Sequence, residues 1–85
     1  MLFKPSKGLT NIPELENKVI QFLSERSQAN SIELSEHLKL SLTDTFFVIE
    51  KLSKVQRIEF TADGKHWRLT AEERKRLRRQ NAINS

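Results

Sequence analysis

One segment, residues 57–69, limits the possible folds of this chain more than any other. Apolar and polar side chains alternate on both sides of Asp63-Gly64. Alternation is typical of half-buried strands, and Asp-Gly between two such runs is a strong signal for a two-residue turn. The segment is therefore predicted to form an antiparallel hairpin. Its apolar positions are Ile58, Phe60, Trp67 and Leu69.

Folding about that turn brings residues of similar chemistry together on both faces. One face is then apolar, and the other joins a carboxylate to a guanidinium, which is the agreement that a stable register requires. Trp67 is expected to face the core beside Phe60, and the alternative is a residue that stacks on a base. The expected pairs are Ala62–Lys65, Thr61–His66, Phe60–Trp67, Glu59–Arg68 and Ile58–Leu69.

Helical periodicity precedes the hairpin. A first helix is expected to begin near Pro13, since proline suits a first turn, and the polar run 24–31 closes it. A short second helix follows the capping-box pattern of Asn30 and Glu33. The apolar positions expected to face the core are Leu15, Val19, Phe22 and Leu23 in the first helix and Leu34 and Leu38 in the second.

A third helix is predicted after Ser41, which is expected to cap it, and its end is predicted near Lys54 or Val55. Its expected inward positions are Leu42, Phe46, Ile49 and Leu52. That phase turns outward Thr43, Asp44, Thr45, Phe47, Val48 and Lys51. A phase shifted by one position would bury Phe47 or Val48 instead, so the sequence leaves their exposure open.

A fourth helix is predicted from the capping pattern that runs from Thr70 to Glu73. Because Leu77 is almost its only large apolar residue, this helix must expose one side to solvent or to a partner. Its cations are Arg74, Lys75, Arg76, Arg78 and Arg79.

Length and composition narrow the function classes. Eighty-five residues fit one small domain, and the net charge is +4. The absence of cysteine excludes disulfides, thiolate zinc sites and cysteine nucleophiles. With two distant histidines, His37 and His66, and two glycines, the sequence offers no metal site and no phosphate-cradling loop. We therefore expect a binding module without a cofactor or small-molecule ligand, and not an enzyme.

The same composition gives expectations about location and organisation. No apolar run approaches the roughly 18 residues that a membrane span needs. The start of the chain also lacks the apolar core of a secretory signal. A cytoplasmic protein is expected, associated with the nucleoid if it binds DNA. The expected parts are an N-terminal arm (1–11), one domain (12–70) and a basic C-terminal helix or tail (71–85).

Positive charge is concentrated near the two ends of the chain. Residues 54–85 hold nine basic and four acidic side chains, whereas residues 11–53 hold four basic and seven acidic ones. One interpretation is a footprint for a polyanion. The alternative is that these cations only keep a small domain in solution. Five cations within six residues of the fourth helix favour the first interpretation.

The predicted order of elements resembles a winged helix-turn-helix. The residues that carry the resemblance are Ile32-Glu33-Leu34-Ser35-Glu36-His37-Leu38-Lys39-Leu40-Ser41, which resemble the approach to a recognition helix, and the wing-like segment 57–69. The resemblance covers roughly residues 13–77 and is greatest to small prokaryotic and phage regulators, including the MarR-like class. It implies a mostly α fold with a three-helix core, a two-stranded β-hairpin wing and a C-terminal basic helix. It also implies duplex DNA as the partner.

That resemblance defines a set of expected DNA contacts. The third helix would contribute Thr43, Thr45 and Lys51, the wing Lys65, His66 and Arg68, and the tail Arg74, Lys75, Arg78 and Arg79. For Arg68, an ordinary ion pair with Glu59 is the competing interpretation. A single small domain buries little surface on DNA, so a homodimer or a second regulatory protein is also expected.

Two alternatives stay open at this stage. The third helix lacks the Arg, Asn and Gln side chains that often contact base edges and instead carries Asp44 and Glu50. Outward Phe47 and Val48 would make it a protein-interaction surface on a winged-helix scaffold. A nucleic-acid-binding accessory factor without sequence specificity is the other alternative.

Overall fold

The computed structural model describes residues 11–84, with side chains from Asn11 to Gln80. Apart from Asn11, the predicted N-terminal arm lies outside the described residues. The elements are α1 (Ile12–Arg26), α2 (Ser31–Leu38), α3 (Leu42–Lys54), β1 (Ile58–Phe60), β2 (Trp67–Leu69) and α4 (Ala71–Asn84). Over this part of the chain, four helices and one antiparallel hairpin make a mostly helical fold, which is compatible with a winged-helix layout.

The start of α2 forms as its sequence predicts. The Asn30 side chain accepts a hydrogen bond from the Glu33 backbone N–H at 2.8 Å, and the Glu33 carboxylate accepts one from the Asn30 backbone N–H at 3.1 Å. This reciprocal capping box satisfies backbone donors that a helix N-terminus otherwise leaves without partners. Leu34 and Leu38 are buried one turn apart, as expected.

α1 begins at Ile12, one residue before Pro13, and buries a slightly different stripe from the one predicted. Leu15, Val19 and Leu23 face the core as expected, and Ile20 joins them. The predicted core position Phe22 is only half-buried, because it lies at the edge of the bundle. There its ring stacks on the imidazole of His37 with a centroid distance of 4.3 Å, and this contact joins α1 to α2.

The phase predicted for α3 is confirmed at Ile49 and Leu52, which are buried, and at Phe46, which is half-buried and packs against the core, but it is wrong at the start of the helix. The positions buried in the structure are Asp44, Thr45, Val48, Ile49 and Leu52, and Leu42 is 46% exposed. Thr45 can be buried because its hydroxyl donates to the Ser41 carbonyl at 2.8 Å and so keeps a hydrogen bond. The predicted cap is confirmed, since the Ser41 side chain accepts from the Asp44 N–H at 3.2 Å.

Three predicted strand pairs are confirmed, with Ile58 opposite Leu69, Glu59 opposite Arg68 and Phe60 opposite Trp67, and Thr61 N–H donates to the His66 carbonyl at 2.9 Å. The prediction of a two-residue Asp63-Gly64 turn with an Ala62–Lys65 pair is wrong, because Gly64 N–H donates to the Thr61 carbonyl at 3.0 Å and Ala62 and Asp63 are the central turn residues. Gly64 has a φ of 72°, a left-handed conformation that glycine adopts without strain. The turn between α1 and α2 adds to the sheet, because Ala29 N–H donates to Trp67 O at 3.0 Å and Trp67 N–H donates to Ala29 O at 2.8 Å. The hairpin is therefore fixed to the helices through its second strand.

Candidate nucleic-acid interface

The outer side of α3 carries fewer of the expected contacts than the sequence predicts. Thr43 and Lys51 are exposed, and the Lys51 ammonium lies 5.2 Å from the centroid of the Phe47 ring. Thr45 is fully buried, so the prediction that it contacts DNA is wrong. Val48 is fully buried as well, so the prediction that it forms a protein-binding surface is also wrong. Of the apolar pair, only Phe47 reaches the surface, and it is half-buried.

Most of the charge on the hairpin is neutralised within the hairpin itself. Arg68 Nε donates to the Glu59 carboxylate at 2.8 Å, as the competing interpretation has it, although both side chains stay partly exposed. His66 Nδ1 lies 3.1 Å from Oδ2 of the Asp63 carboxylate. Lys65 is exposed at the tip. Of the predicted wing contacts, Lys65 is therefore the cation most available to a partner.

The Asp63 carboxylate organises the hairpin tip. It accepts hydrogen bonds from the Thr61 hydroxyl and from the Lys65 backbone N–H, the latter at 2.9 Å. These bonds, followed by the hydrogen bond and charge of His66, lower the pKa of Asp63 from 3.8 to about 2. The carboxylate is thus ionised at neutral pH and holds the two residues that precede β2 in place.

The largest group of available cations lies on α4. Arg74, Lys75, Arg78 and Arg79 are exposed, and among the described side chains none of the four forms an ion pair. Arg74 and Arg78 are one turn apart, as are Lys75 and Arg79, so the four share one side of the helix. Glu73 and Leu77, which face the core, lie on the other side. All four predicted tail contacts are therefore together on one solvent-facing stripe.

A buried ion-pair cluster attaches α4 to the base of the hairpin. Glu73 is 4% exposed, and its carboxylate accepts from Arg57 Nη2 and from Arg76 Nη2, each at 2.9 Å. Burial raises the pKa of Glu73, but the hydrogen bonds from Arg76 and then Arg57 outweigh it and lower the pKa below its ordinary value. Arg76 is half-exposed, and this ion pair gives its guanidinium a structural role.

This cluster was not predicted from the sequence, which assigned Glu73 to a capping box with Thr70. One half of that box forms, because the Thr70 hydroxyl accepts from the Glu73 N–H at 3.2 Å. The Thr70 N–H already donates to the Arg57 carbonyl at 3.1 Å, in continuation of the hairpin. The predicted register, continued by one pair, places Arg57 beside Thr70, and Glu73 lies one helical turn after Thr70. The ion pair between Arg57 and Glu73 could have been inferred from these two facts.

An aromatic pair lies on the face of the hairpin opposite the Glu59–Arg68 ion pair. The Phe60 and Trp67 rings stack with a centroid distance of 4.2 Å and an interplanar angle of 19°. Trp67 packs against the core, which confirms the expectation for this residue, and Phe60 is 52% exposed. A hollow of about 240 Å³ lies beside the pair, lined by Phe46, Ile49, Glu50, Ser53, Lys54 and Trp67.

The side chains of α4 line two hollows against α1. One, of about 320 Å³, includes Ser24, Ser27, Arg74 and Arg78. The other, of about 410 Å³, includes Asn17, Gln21, Arg57, Arg76 and Gln80. The basic helix therefore faces α1 across these two hollows, and no residue of α3 lines either of them.

Across residues 11–84, no helix combines the length and the apolar character that crossing a membrane requires. Nor do the described side chains include a group of three or more metal-binding types close enough together to hold an ion. Comparison with protein-family models, with curated proteins and with solved structures finds no match for this chain.

Proposed function

We propose that this protein is a small winged helix-turn-helix regulator of transcription that binds duplex DNA. The element order supports the layout, with three packed helices followed by an antiparallel hairpin. In this proposal α3 lies against the duplex, the hairpin tip contacts the flanking backbone and α4 adds cations. A homodimer or a second protein would supply the surface that one domain of this size lacks.

The observation that carries the proposal is the distribution of cations without acidic partners. The acidic neighbours Glu59 and Glu73 are neutralised by Arg68, Arg57 and Arg76. The exposed cations of α4 stay available, together with Lys51 and Lys65. Exposed cations of this kind, on α3, at the hairpin tip and on α4, favour the phosphate backbone of a nucleic acid, where each neutralised phosphate releases a counterion.

On α3, two exposed residues and the helix N-terminus support a contact with the duplex. The Ser41 cap leaves the first turn of α3 at the surface, where backbone N–H groups attract a phosphate. Thr43 is in that turn, and Lys51 is two turns further along. Thr43 and Lys51 are residue types that bind phosphates and the walls of the major groove.

Fluorescence anisotropy with a labelled random-sequence duplex tests the proposal. Four phosphate contacts predict that affinity falls about a hundredfold between roughly 50 and 200 mM salt. Combining Thr43→Ala with Lys51→Gln should weaken binding at least tenfold. Lys18→Gln, which removes one exposed charge on α1, serves as the control and should change little. Affinity that is insensitive to salt, or an α3 variant that binds like the unmodified protein, would contradict the proposal.

A second candidate function is protein interaction through apolar surface near α3. It is favoured by half-buried Phe47 and by exposed Phe60 beside the apolar hollow at Trp67. Phe47→Arg separates the two candidates. It should leave duplex affinity unchanged or raise it, because it adds a cation next to Lys51, whereas it should abolish an apolar protein contact. Circular dichroism and the conservative change Phe47→Leu check that the fold is intact.

A further inference from the structure

The hollow between the end of α1 and α4 is lined by basic, hydroxyl-bearing and apolar side chains. Arg74 and Arg78 line it from α4, and Ser24 and Ser27 line it from α1. Leu23, Leu69 and Leu77 complete the lining. Its volume of about 320 Å³ is ample for a phosphate group. This lining suits an anion, because it includes two arginines and no carboxylate.

The arginines have the spacing and the chemistry to hold a phosphate backbone. Residues one turn apart on a helix are separated by about 6 Å along its axis. Two side chains that close together can bind the oxygens of one phosphate group. Guanidinium groups bind phosphate oxygens in a planar, bidentate manner. Lys75 and Arg79 continue the same stripe of charge beside the hollow.

A phosphate backbone suits this surface better than a membrane does. Helices that lie on membranes turn an apolar side toward the acyl chains. The large apolar residue in the described side chains of α4 is Leu77, and it packs against the protein core. What α4 offers outward is charge alone, which matches a water-exposed polyanion.

The hollow is separate from the outer face of α3, since no residue of α3 lines it. On α1, Phe22 and Arg26 contact α2 through His37 and Glu33. Ser24 lies two residues from each of them, about 200° around the helix, so α4 meets α1 on the side away from α2.

The outer face of α3 is defined in the same way. Thr45 and Leu52 turn inward and are fully buried, whereas Thr43 and Lys54 on the other side of the helix are exposed. The outer face of α3, whose exposed Lys54 pairs with Glu50, is therefore a surface separate from the hollow, which no residue of α3 lines.

We propose that the α1–α4 hollow is a second DNA-contacting surface, in which Arg74 and Arg78 hold a backbone phosphate of a duplex segment other than the one beneath α3. The inference rests on the proposed function, since it takes the α3 surface as the first contact. One molecule then joins two duplex segments, one by each surface.

A capture experiment with two duplexes tests this inference on the full chain. One duplex is attached to beads, the second is fluorescent, and the protein is added at about 50 mM salt, where phosphate contacts are strong. The unmodified protein should retain the fluorescent duplex on the beads. Combining Arg74→Gln with Arg78→Gln should lower retention at least tenfold, while binding to a single duplex, measured by anisotropy, weakens less. Lys18→Gln is again the control and should retain the second duplex fully.

The outcomes separate the inference from the proposed function. No binding of any duplex at low salt overturns both. Binding of one duplex without capture of the second overturns the inference alone, as does full capture by the double variant. Stronger binding of polyglutamate than of a duplex of equal charge, lost in the double variant, would assign the hollow to an acidic protein and also overturn the inference. Because both arginines are exposed, unchanged thermal unfolding of the variant is expected and excludes a folding defect.

Discussion

At the scale of single residues, burial assigns opposite roles to two threonines that are two positions apart on α3. Thr43 is exposed, whereas Thr45 is fully buried and donates its hydroxyl to the Ser41 carbonyl. Thr45→Val should lower the free energy of unfolding by roughly 1 kcal/mol, the worth of one hydrogen bond, and leave duplex affinity unchanged. Thr43→Ala should weaken duplex affinity and leave the free energy of unfolding unchanged. Urea unfolding and anisotropy on both variants check this, and loss of affinity in Thr45→Val would contradict it.

The phase of α3 shows where local sequence stops being informative. Phe46, Phe47, Val48 and Ile49 are consecutive apolar residues, so stripes shifted by one position are almost equally apolar. The choice between them is made by packing against α1 and α2, which local periodicity does not contain. Thr45 shows the same limit, because local apolarity does not mark a threonine for burial, although its hydroxyl keeps a hydrogen bond to the Ser41 carbonyl.

Asp63 gives the hairpin tip a defined response to acid. The pKa of Asp63 is lowered from 3.8 to about 2 in the folded protein. The ionised carboxylate therefore adds fully to the free energy of unfolding above pH 3.8, and this stabilisation is lost as the pH falls through 2. Thermal unfolding should show the advantage of the unmodified protein over Asp63→Asn shrinking between pH 4 and pH 2. An advantage that is constant across this window would show that Asp63 is not held as described.

At the scale of elements, the hairpin could be predicted in register, whereas the attachment of α4 could not. The alternation of apolar and polar residues on both sides of the turn is local, and it determines the three strand pairs, although the turn forms one residue earlier than predicted. Arg57 and Glu73 are 16 residues apart, and their contact depends on where the hairpin ends and α4 begins. The outward stripe of cations on α4 was predictable because it follows from helical spacing alone.

The Glu73 cluster predicts unequal effects for two adjacent glutamates. Glu73→Gln leaves two guanidinium groups without their carboxylate and should lower the free energy of unfolding by about 2 kcal/mol, less than for a fully buried pair because Arg57 and Arg76 reach solvent. Glu72→Gln removes the same charge from an exposed position and should change it by less than about 0.5 kcal/mol. Urea unfolding of both variants checks the difference, and equal effects would mean that the cluster contributes nothing.

At the scale of the whole molecule, a small core leaves little reserve of stability. A chain of this length has a free energy of unfolding of about 4–13 kcal/mol. Leu52 is fully buried, and Leu52→Ala should cost about 2–5 kcal/mol, enough to unfold part of the population. Leu42→Ala removes the same atoms from a side chain that is 46% exposed and should cost under about 1 kcal/mol. If unfolding followed by circular dichroism showed that both variants lose the same stability, the observed phase of α3 would be contradicted.

The pairing of Ala29 with Trp67 sets the order in which the molecule can assemble. Two backbone hydrogen bonds there join positions 38 residues apart, across α2, α3 and the hairpin turn. Closing so long a loop is unfavourable until the intervening helices shorten it, and an isolated two-stranded hairpin is only marginally stable in water. We therefore expect the three helices to pack first and the hairpin to join them afterwards. In deuterated water the Trp67 amide proton would then exchange only when the hairpin leaves the helices, well after that of Gly64 at the tip.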